Sequence, residues 1–312
     1  MPAEPASAPV VAIVVHRYPD FAAPHVAHLI KLLEARGHAC RVWTLHRPSA
    51  LGGHPVHGEI GASVHALPES LSANPFRAVG PIIGAAMAAR FLPALLDWVR
   101  MMIRQPSPAA FRALGQACVL RSESAAAPRF FLAIGLTRPG AVAQLAARLC
   151  GDGWAALSEA PEEWLLPEAE MASRLQQAAF CLASSDSAAS ALRRHAPGAG
   201  RVGVAPPCVD LAVFTPPTEL ASPHTGETAD SAVRLVSIGD LEPAQGYRDL
   251  LAALSDMPKA THWRLTHIGR GSLDEKLREF AQGLRLHHHI TWSGPRDQAG
   301  VLKALREADI YV

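Results

Sequence analysis

Hydrophobic and polar residues alternate along the chain in a pattern that predicts two series of buried strands and amphipathic helices. The first series opens with Val10–Val15, a run rich in β-branched residues of the kind that a parallel sheet buries on both faces. A helical repeat of apolar positions follows from His25 to Arg36, and Cys40–Leu45 predicts the next strand. A strand, a helix and a strand within about 35 residues form a βαβ unit, which indicates a parallel sheet.

The first series continues to Val204. Residues 76–120 are rich in alanine and predict helices, interrupted by Pro93, Pro106 and Pro108. Strands and helices alternate after them. The predicted strands are Phe130–Ile134, Trp154–Leu157, Phe180–Ala183 and Val202–Val204, and the predicted helices are Gly140–Leu149 and Pro167–Ala178.

The second series begins after residues 215–231, a segment without periodicity whose prolines, threonines and serines predict a linker. Its predicted strands are Val233–Ile238, His262–Ile268, Ile290–Trp292 and Ile310–Val312, and its predicted helices are Tyr247–Leu254, Leu273–Leu284 and Gln298–Glu307. The pattern predicts an α/β protein with two parallel-sheet domains, residues 1–214 and 232–312. Because the last strand coincides with the end of the sequence, we expect the second domain to be incomplete.

Composition and charge narrow the class of protein. Of the 312 residues, 49% are hydrophobic and 18% are charged, which indicates a buried core and excludes a disordered chain. The formal net charge is +1 at pH 7, so we expect no general attraction to nucleic acid. The five cysteines never form C-x-x-C, which argues against a disulfide framework or a zinc ribbon and favours a reducing compartment; they are Cys40, Cys118, Cys150, Cys181 and Cys208.

The sequence predicts neither a secretory signal nor a membrane-spanning segment. The apolar run near the N-terminus, Val10–Val15, is too short for a signal and has no basic region before it. The most apolar stretch, Val79 to Ile103, is interrupted by the charged residues Arg90, Asp97 and Arg100. We therefore expect a cytoplasmic protein.

Short motifs in both series carry a resemblance to a known family. They follow one another in order over nearly the whole chain: Arg17-Tyr18-Pro19, Leu33-Glu34-Ala35-Arg36-Gly37-His38, Thr137-Arg138-Pro139-Gly140, Val209-Asp210-Leu211 with Phe214, Ser237-Ile238-Gly239, Gly246-Tyr247-Arg248-Asp249-Leu250-Leu251, Ile268-Gly269-Arg270-Gly271 and Ala308-Asp309-Ile310-Tyr311-Val312. The chain thereby resembles the retaining glycosyltransferases of family 4, in the branch that builds bacterial surface polysaccharide. That resemblance implies a GT-B-like fold with an acceptor-side Rossmann-like domain, residues 1–214, and a donor-side one, residues 232–312.

The resemblance also implies a reaction. Such an enzyme transfers a sugar from a nucleotide-diphosphate donor to a saccharide or lipid-linked acceptor, without a metal or other cofactor, in the cytoplasm or on the inner face of the membrane. It binds the leaving diphosphate with glycine loops at helix N-termini and with an Arg/Lys pair. By resemblance, the donor-binding positions of this chain are Gly239, Asp240, Gln245, Gly246, Gly269, Arg270 and Gly271.

The chain departs from the family at the positions that carry the chemistry. Asp240 stands where the family has the arginine, and Gln245 stands where it has the lysine. The family's histidine position is Glu159, so the catalytic residues stay unknown. The other changed segments are Ala22-Ala23-Pro24, Leu132-Ala133-Ile134-Gly135, Ser158-Glu159-Ala160-Pro161-Glu162 and Pro207-Cys208, and the family's pair of glutamates would lie beyond Val312.

An acidic residue that faces a diphosphate is unfavourable by several kcal/mol in a partly desolvated site. We therefore expect this chain alone to be impaired or inactive in sugar transfer. The alternative is a non-catalytic relative that acts as a binding or assembly subunit, together with a partner subunit or with further copies of itself.

Several features allow two interpretations each. The loop 269–272 either presents backbone N–H groups to a phosphate or is an ordinary turn, and Arg270 is either a phosphate cation or a solvated side chain. His287-His288-His289 either binds a metal or lies in a solvated loop, and alternate strand faces disfavour one shared ion. Glu159, Glu162 and Glu163 either supply an acid/base pair or begin a helix. The stretch Arg77–Arg104 either contacts anionic lipid or packs on the sheet.

Overall fold

The computed structural model describes residues 10–19, 23–46, 55–69, 75–124, 129–158, 166–195, 201–207 and 224–312. The chain divides into unit 1, Met1–Val209, and unit 2, Asp210–Val312. Each unit contains a parallel sheet with helices, so the predicted α/β fold with parallel sheets is confirmed. The second unit is the smaller one. The assignment of acceptor-side and donor-side roles stays a prediction.

The described strands of unit 1 are β1 (Val10–Arg17), β2 (Cys40–His46), β3 (Ser63–Ala66), β4 (Arg129–Ile134), β5 (Gly153–Ser158), β6 (Cys181–Ala183) and β7 (Val202–Val204). The described helices are α1 (Pro24–Ala35), α2 (Pro75–Ala86), α3 (Phe91–Arg104), α4 (Pro108–Glu123), α5 (Arg138–Cys150), α6 (Glu168–Gln177) and α7 (Asp186–His195). The strands form one sheet in the order β3-β2-β1-β4-β5-β6-β7, and all neighbours are parallel. The order reverses direction between β1 and β4, which is where ligands of such sheets bind.

Alternate residues of β1 bury their side chains on opposite faces of this sheet. Ile13 and Val15 belong to the core cluster that includes α1, whereas Ala12 and Val14 belong to the larger cluster that includes α4 and α5. All four residues are at most 2% exposed. The sheet is therefore covered on both sides, as the unbroken apolar run of β1 predicts.

The strands of unit 2 are β8 (Val233–Ile238), β9 (Trp263–Ile268), β10 (Ile290–Trp292) and β11 (Ile310–Tyr311), and its helices are α8 (Tyr247–Ser255), α9 (Asp274–Gly283) and α10 (Gln298–Glu307). The four strands are parallel, in the order β10-β9-β8-β11. The core joins Leu235 and Leu265 of the sheet to Leu251 of α8 and Leu277 of α9. Here the strand order reverses between β8 and β11.

The structure adds two features that the hydrophobic pattern does not predict. Strand β3 is exposed along its whole length, so Ser63–Ala66 carries no apolar run that would reveal it. The structure describes residues 224–231 of the predicted linker, residues 215–231. Residues 224–231 belong to unit 2 and bond to other segments of it; for example, the His262 N–H donates to the Gly226 oxygen at 2.8 Å.

Helices α2 and α3 expose a broad apolar face, although small side chains such as Ala85 and Ala94 are buried. Met87 is 84% exposed and Ile103 is 76% exposed. The other exposed members of this α2–α3 face are Val79, Ile83, Leu92, Leu96 and Val99. Among the described residues, no single helix has the length and apolar composition to cross a membrane; Arg77–Ala86 and Phe91–Arg104 do so only as a pair, which is bent by 114°.

Candidate functional site

In unit 2, the carboxyl ends of β8 and β9 carry the two glycine loops with the predicted donor-binding positions, residues 239–246 and 269–272. Backbone hydrogen bonds join these loops. They run from Gly239 N–H to Ile268 O at 3.1 Å, from Leu241 N–H to Arg270 O at 3.2 Å, and from Leu273 N–H to Leu241 O at 2.9 Å. The fold thus brings Gly239, Gly269 and Gly271 together.

Only glycine fits at two positions of this crossing. Gly269 has a φ of +149°, and a Cβ there would overlap the carbonyl oxygen of Gly239. A Cβ on Gly271 would overlap the backbone of Leu241, whose side chain is fully buried. The two loops therefore pack backbone against backbone, which fixes their path at the edge of the sheet.

The remaining predicted positions, Asp240, Gln245, Gly246 and Arg270, are exposed. Gly246 adopts the left-handed conformation, with a φ of +71°, immediately before α8 begins. Burial raises the pKa of Tyr247, and the charges of Tyr311 and then Asp240 raise it further. The negative charge of Asp240 is therefore felt at the start of α8, beside the first glycine loop. One acid and one base among these exposed positions leave no excess positive charge for a diphosphate.

A carboxylate bonds to the second glycine loop. Glu242 accepts one hydrogen bond from the Ser272 N–H at 2.9 Å and another from the Ser272 hydroxyl at 2.6 Å. These bonds lower the pKa of Glu242, which is therefore ionised at neutral pH. This contact, the Glu242–Ser272 clamp, uses an N–H that a phosphate would need. It favours the turn interpretation of loop 269–272.

A buried histidine lies behind the loops of unit 2. His267 is 1% exposed, and its Nδ1 lies 2.9 Å from the Ser237 hydroxyl. Its ring packs edge-on against Tyr247 and Trp292, with centroids 4.9 Å and 5.6 Å away. Burial lowers the pKa of His267 to about 4, so it is neutral at pH 7 and brings no cation to this edge.

Unit 1 has a cleft of about 400 Å³ at the carboxyl end of its sheet, here termed the unit-1 cleft. Parallel strands present the side chains that follow them at one edge, and this edge contributes His16 and His46 from the ends of β1 and β2. Helices supply further lining residues, which include Met101, Arg112, Gln116, Arg138, Val142 and Arg174. The cleft therefore combines cationic groups, imidazoles and apolar side chains.

A buried ion pair supports one wall of the unit-1 cleft. Arg174 and Glu170 of α6 are each 2% exposed and lie 2.9 Å apart, and Arg104 contacts Glu170 at 3.4 Å. The Arg174 guanidinium also donates to the carbonyl oxygens of Leu136 and Thr137, in the loop between β4 and α5. Arg174 therefore fixes this loop and offsets the negative ends of its carbonyl dipoles.

Arg138, the first residue of α5, reaches to the end of β2. Its Nη1 lies 3.1 Å from Nε2 of His46, and because an arginine only donates, the imidazole nitrogen accepts. The Nδ1 of His46 lies 3.9 Å from a carboxylate oxygen of Glu69. Burial and then the nearby His16 lower the pKa of His46, with a smaller opposing effect of Glu69. A neutral His46 thus orients the Arg138 guanidinium.

Sequence reasoning missed the unit-1 cleft. Its polar residues are far apart in the chain, and only the strand order brings them to one edge. Arg138 appears in the sequence as part of a scaffold motif, Thr137-Arg138-Pro139-Gly140, with no ligand assigned to it. The remaining signal is the arginine itself, which lies in the loop between the predicted strand Phe130–Ile134 and the predicted helix Gly140–Leu149.

Other predicted positions fall elsewhere. Glu159, Glu162 and Glu163, as well as residues 208–214, lie outside the described residues. The three consecutive histidines lie in a turn, where the rings of His287 and His288 are 3.8 Å apart and His289 stacks on Trp263. In the part of the chain that the structure describes, no group of three or more His, Cys, Asp or Glu residues is arranged to hold a metal ion.

The segment that carries both glycine loops of unit 2 is similar to a known family. Residues 226–312 match Glycosyl transferases group 1. No curated protein matches the chain by sequence.

Solved structures of glycosyltransferases are similar over both units. HepE from Anabaena, in complex with UDP and glucose, has a TM-score of 0.64 at 11% identity, covering 97% of this chain and 73% of that chain. Sucrose-phosphate synthase from Thermosynechococcus elongatus has a TM-score of 0.62 at 14% identity, and WaaG, a glycosyltransferase involved in lipopolysaccharide biosynthesis, has 0.60 at 12%; each comparison covers 97% of this chain and 74% of the other. At these identities the likeness shows the fold, an α/β fold of the GT-B glycosyltransferase type.

Proposed function

We propose that this protein is of the glycosyltransferase type that moves a sugar from a nucleotide-diphosphate donor to a saccharide or lipid-linked acceptor in surface polysaccharide synthesis. The observation that carries the proposal is the match of residues 226–312, which include β8, β9 and both glycine loops. The UDP and glucose bound to HepE and the lipopolysaccharide role of WaaG support the class of donor and product. Unit 2 is then the donor side, and unit 1 the acceptor side.

In this proposal the chain alone is impaired in transfer. Asp240 replaces a cation that would face the diphosphate, Gln245 adds no charge, and Glu242 bonds to the Ser272 N–H. Two like charges 4 Å apart repel by about 1 kcal/mol in water and by about 4 kcal/mol at a protein surface. The first glycine loop therefore opposes the binding of a diphosphate instead of assisting its departure.

The second candidate function is a non-catalytic binding or assembly subunit. The Glu242–Ser272 clamp favours it, because an ionised carboxylate satisfies part of the loop that would otherwise receive a donor phosphate. Such a subunit keeps the fold of the enzymes and acts with a partner subunit or with a second copy of itself.

The place of action in this proposal is the cytoplasm, at the inner face of the membrane. The α2–α3 face of exposed apolar side chains lies on helices that also carry the exposed arginines Arg90, Arg100 and Arg104. Arg100 pairs with Asp97 at 3.2 Å and Arg104 with Glu170 at 3.4 Å. Apolar side chains enter the boundary between headgroups and acyl chains, while arginines attract anionic lipid. A peripheral contact of this kind would bring a lipid-linked acceptor to unit 1.

Incubation of the purified chain with labelled nucleotide sugars and a membrane extract tests the proposed function. We expect no product above a buffer control from this chain alone. Product formation would overturn the impairment and support the active transferase, provided that it disappears in Gly269→Ala, which disturbs the loop crossing, and persists in Gly283→Ala, where a Cβ meets nothing within 4 Å. Absence of both product and nucleotide binding would favour the subunit.

A further inference from the structure

The unit-1 cleft concentrates positive charge. Arg112, Arg138 and Arg174 line it, against a single acid, Glu69, among the described lining residues. The charge of Arg174 is balanced by Glu170 at 2.9 Å. The other charged lining residues are Arg112, Arg138 and Glu69, whose charges sum to +1. An anion that enters this cleft therefore meets a net positive field, and it does so at the edge where parallel sheets bind their ligands.

The guanidinium of Arg138, an exposed residue, is oriented by one contact with the end of β2. Of its five N–H donors, one lies 3.1 Å from Nε2 of His46, and among the described residues the other four have no side-chain partner and can turn to a ligand. A planar guanidinium with its orientation fixed contacts phosphate through two parallel hydrogen bonds, at a small cost in side-chain entropy. His46 acts here as a positioning residue.

The backbone at the same point adds to the attraction of an anion. Helix α5 begins at Arg138 and runs for 13 residues, and both Thr137 and Arg138 line the cleft. The first turn of a helix carries backbone N–H groups without partners inside the helix, and the helix dipole is positive there. In α5, Arg138 and Gly140 have such an N–H, whereas Pro139 has none. Arg174 donates hydrogen bonds to the carbonyl oxygens of Leu136 and Thr137, which would otherwise repel an anion.

At about 400 Å³ the unit-1 cleft has room for a small molecule such as a monosaccharide phosphate. Gln116 is held by its side-chain N–H bond to the Pro68 oxygen at 3.0 Å, which fixes a polar amide in the wall. Met101, Val142 and Leu45 complete the wall with apolar side chains that are each at most 2% exposed.

We propose that the unit-1 cleft binds the phosphate group of a phosphorylated saccharide, either free or attached to a lipid, with Arg138 as the main donor and Arg112 as the second cation. The use of this ligand as an acceptor rests on the proposed function. The binding itself does not, and it requires no nucleotide sugar.

Calorimetric titration of the full chain at pH 7.5 tests the site, with glucose 6-phosphate as the probe and glucose as its uncharged match. We expect binding of the phosphate ester and none of glucose. Arg138→Gln should weaken binding about 10-fold or more, since a charge-assisted bidentate contact is lost. The control is Arg148→Gln, which removes an arginine of the same helix whose side chain is 54% exposed and outside the cleft. It should leave the affinity within about twofold.

A second arm separates a lipid phosphate from a free one. Flotation of the chain with phosphatidylcholine vesicles, with and without phosphatidic acid, is compared for the same variants and for Arg112→Gln. A loss on Arg138→Gln in the vesicle arm assigns a lipid-linked phosphate, and a loss in the titration arm alone assigns a free saccharide phosphate. Arg112→Gln keeps both arms informative if Arg138→Gln does not fold.

Binding in neither arm, or binding that both cleft variants leave unchanged, would overturn the site. Phosphate binding without any sugar transfer would keep the site and count only against the transferase proposal. The two failures are therefore distinguishable.

Discussion

The carboxyl edges of the two sheets carry side chains of opposite charge. In unit 2, Asp240 is exposed and Glu242 is bonded to the glycine loop that follows β9. In unit 1, Arg138 and Arg112 line a cleft, and the carbonyl groups at its rim are taken up by Arg174. Both edges are formed by the carboxyl ends of parallel strands, so the contrast teaches that the side chains at such an edge decide whether it attracts an anion.

The two edges also differ in how their polar groups are satisfied. In unit 2 an acid satisfies a backbone N–H, whereas in unit 1 a guanidinium satisfies backbone carbonyls. In unit 2 the acid occupies an N–H donor that an anion would need. In unit 1 the guanidinium binds carbonyl oxygens that would otherwise repel an anion. Of these two described edges, the one in unit 1 is therefore the edge that we propose for phosphate.

The largest effect is expected from breaking the support of the unit-1 cleft. Arg174→Leu leaves Glu170 buried and without its closest cation, which should lower the free energy of unfolding of unit 1 by about 3–5 kcal/mol. Urea denaturation followed by circular dichroism measures the change. Arg194→Leu, at an exposed position of α7, is the control and should stay within about 0.5 kcal/mol.

A double variant separates packing from charge at Arg174. Glu170→Leu with Arg174→Met removes both charges, so it should lose less stability than Arg174→Leu alone. Equal losses in the single and double variants would mean that the ion pair does not support the cleft through charge balance.

The next effect concerns the acidic edge of unit 2. Asp240→Arg with Gln245→Lys changes the local charge from −1 to +2, and two charge-assisted contacts of about 1.5 kcal/mol each would raise nucleotide-diphosphate affinity roughly one hundredfold. Titration of both chains with uridine and guanosine diphosphates measures it. Asp256→Arg with Gln282→Lys makes the same charge change at exposed positions outside both loops and should have little effect. Equal, negligible binding by all three chains would mean that the loop does not face a phosphate.

The smallest effect is a pH dependence that originates at His267. The pKa of His267 is about 4 in the folded chain and near 6.5 when unfolded, so the unfolded state binds the proton more tightly. The free energy of unfolding therefore decreases as the pH is lowered from about 6.5 to about 4. From pH 7.5 to pH 5 unit 2 should lose about 2 kcal/mol from this residue. His267→Asn, which does not titrate, should lack that loss, whereas His288→Asn at an exposed position should keep it. Urea titrations at both pH values, followed by NMR signals of unit 2, decide. The same pH dependence in His267→Asn would contradict the assignment.

The fold is predictable from this sequence wherever an element buries an apolar run. The bounds of Val202–Val204, Val233–Ile238 and Ile290–Trp292 agree with prediction to the residue, and Ile290–Trp292 is delimited by polar residues on both sides, His289 and Ser293. Strand β3 escapes prediction, since its side chains are exposed and its place at the sheet edge depends only on pairing with β2.

The candidate sites are predictable only where they are local in sequence. Gly269 and Gly271 are recognisable from their loop, but the partner of Ser272 is Glu242, thirty residues earlier, and no local pattern joins the two. The cleft residues Arg138 and His46 are 92 residues apart and meet because β2 and α5 end at the same edge. Such contacts follow from strand order, which hydrophobic periodicity does not determine.

The Glu242–Ser272 clamp competes with any anion that approaches loop 269–272. Because the carboxylate is tethered to the same chain, the competition is unimolecular and dilution does not relieve it. A phosphate that used the Ser272 N–H would bind only molecules in which this contact is open, so its apparent dissociation constant would be the intrinsic one divided by the open fraction. The competition with anions at this loop would therefore depend on the fraction of molecules in which the Glu242–Ser272 clamp is open, and that fraction is the same at every protein concentration.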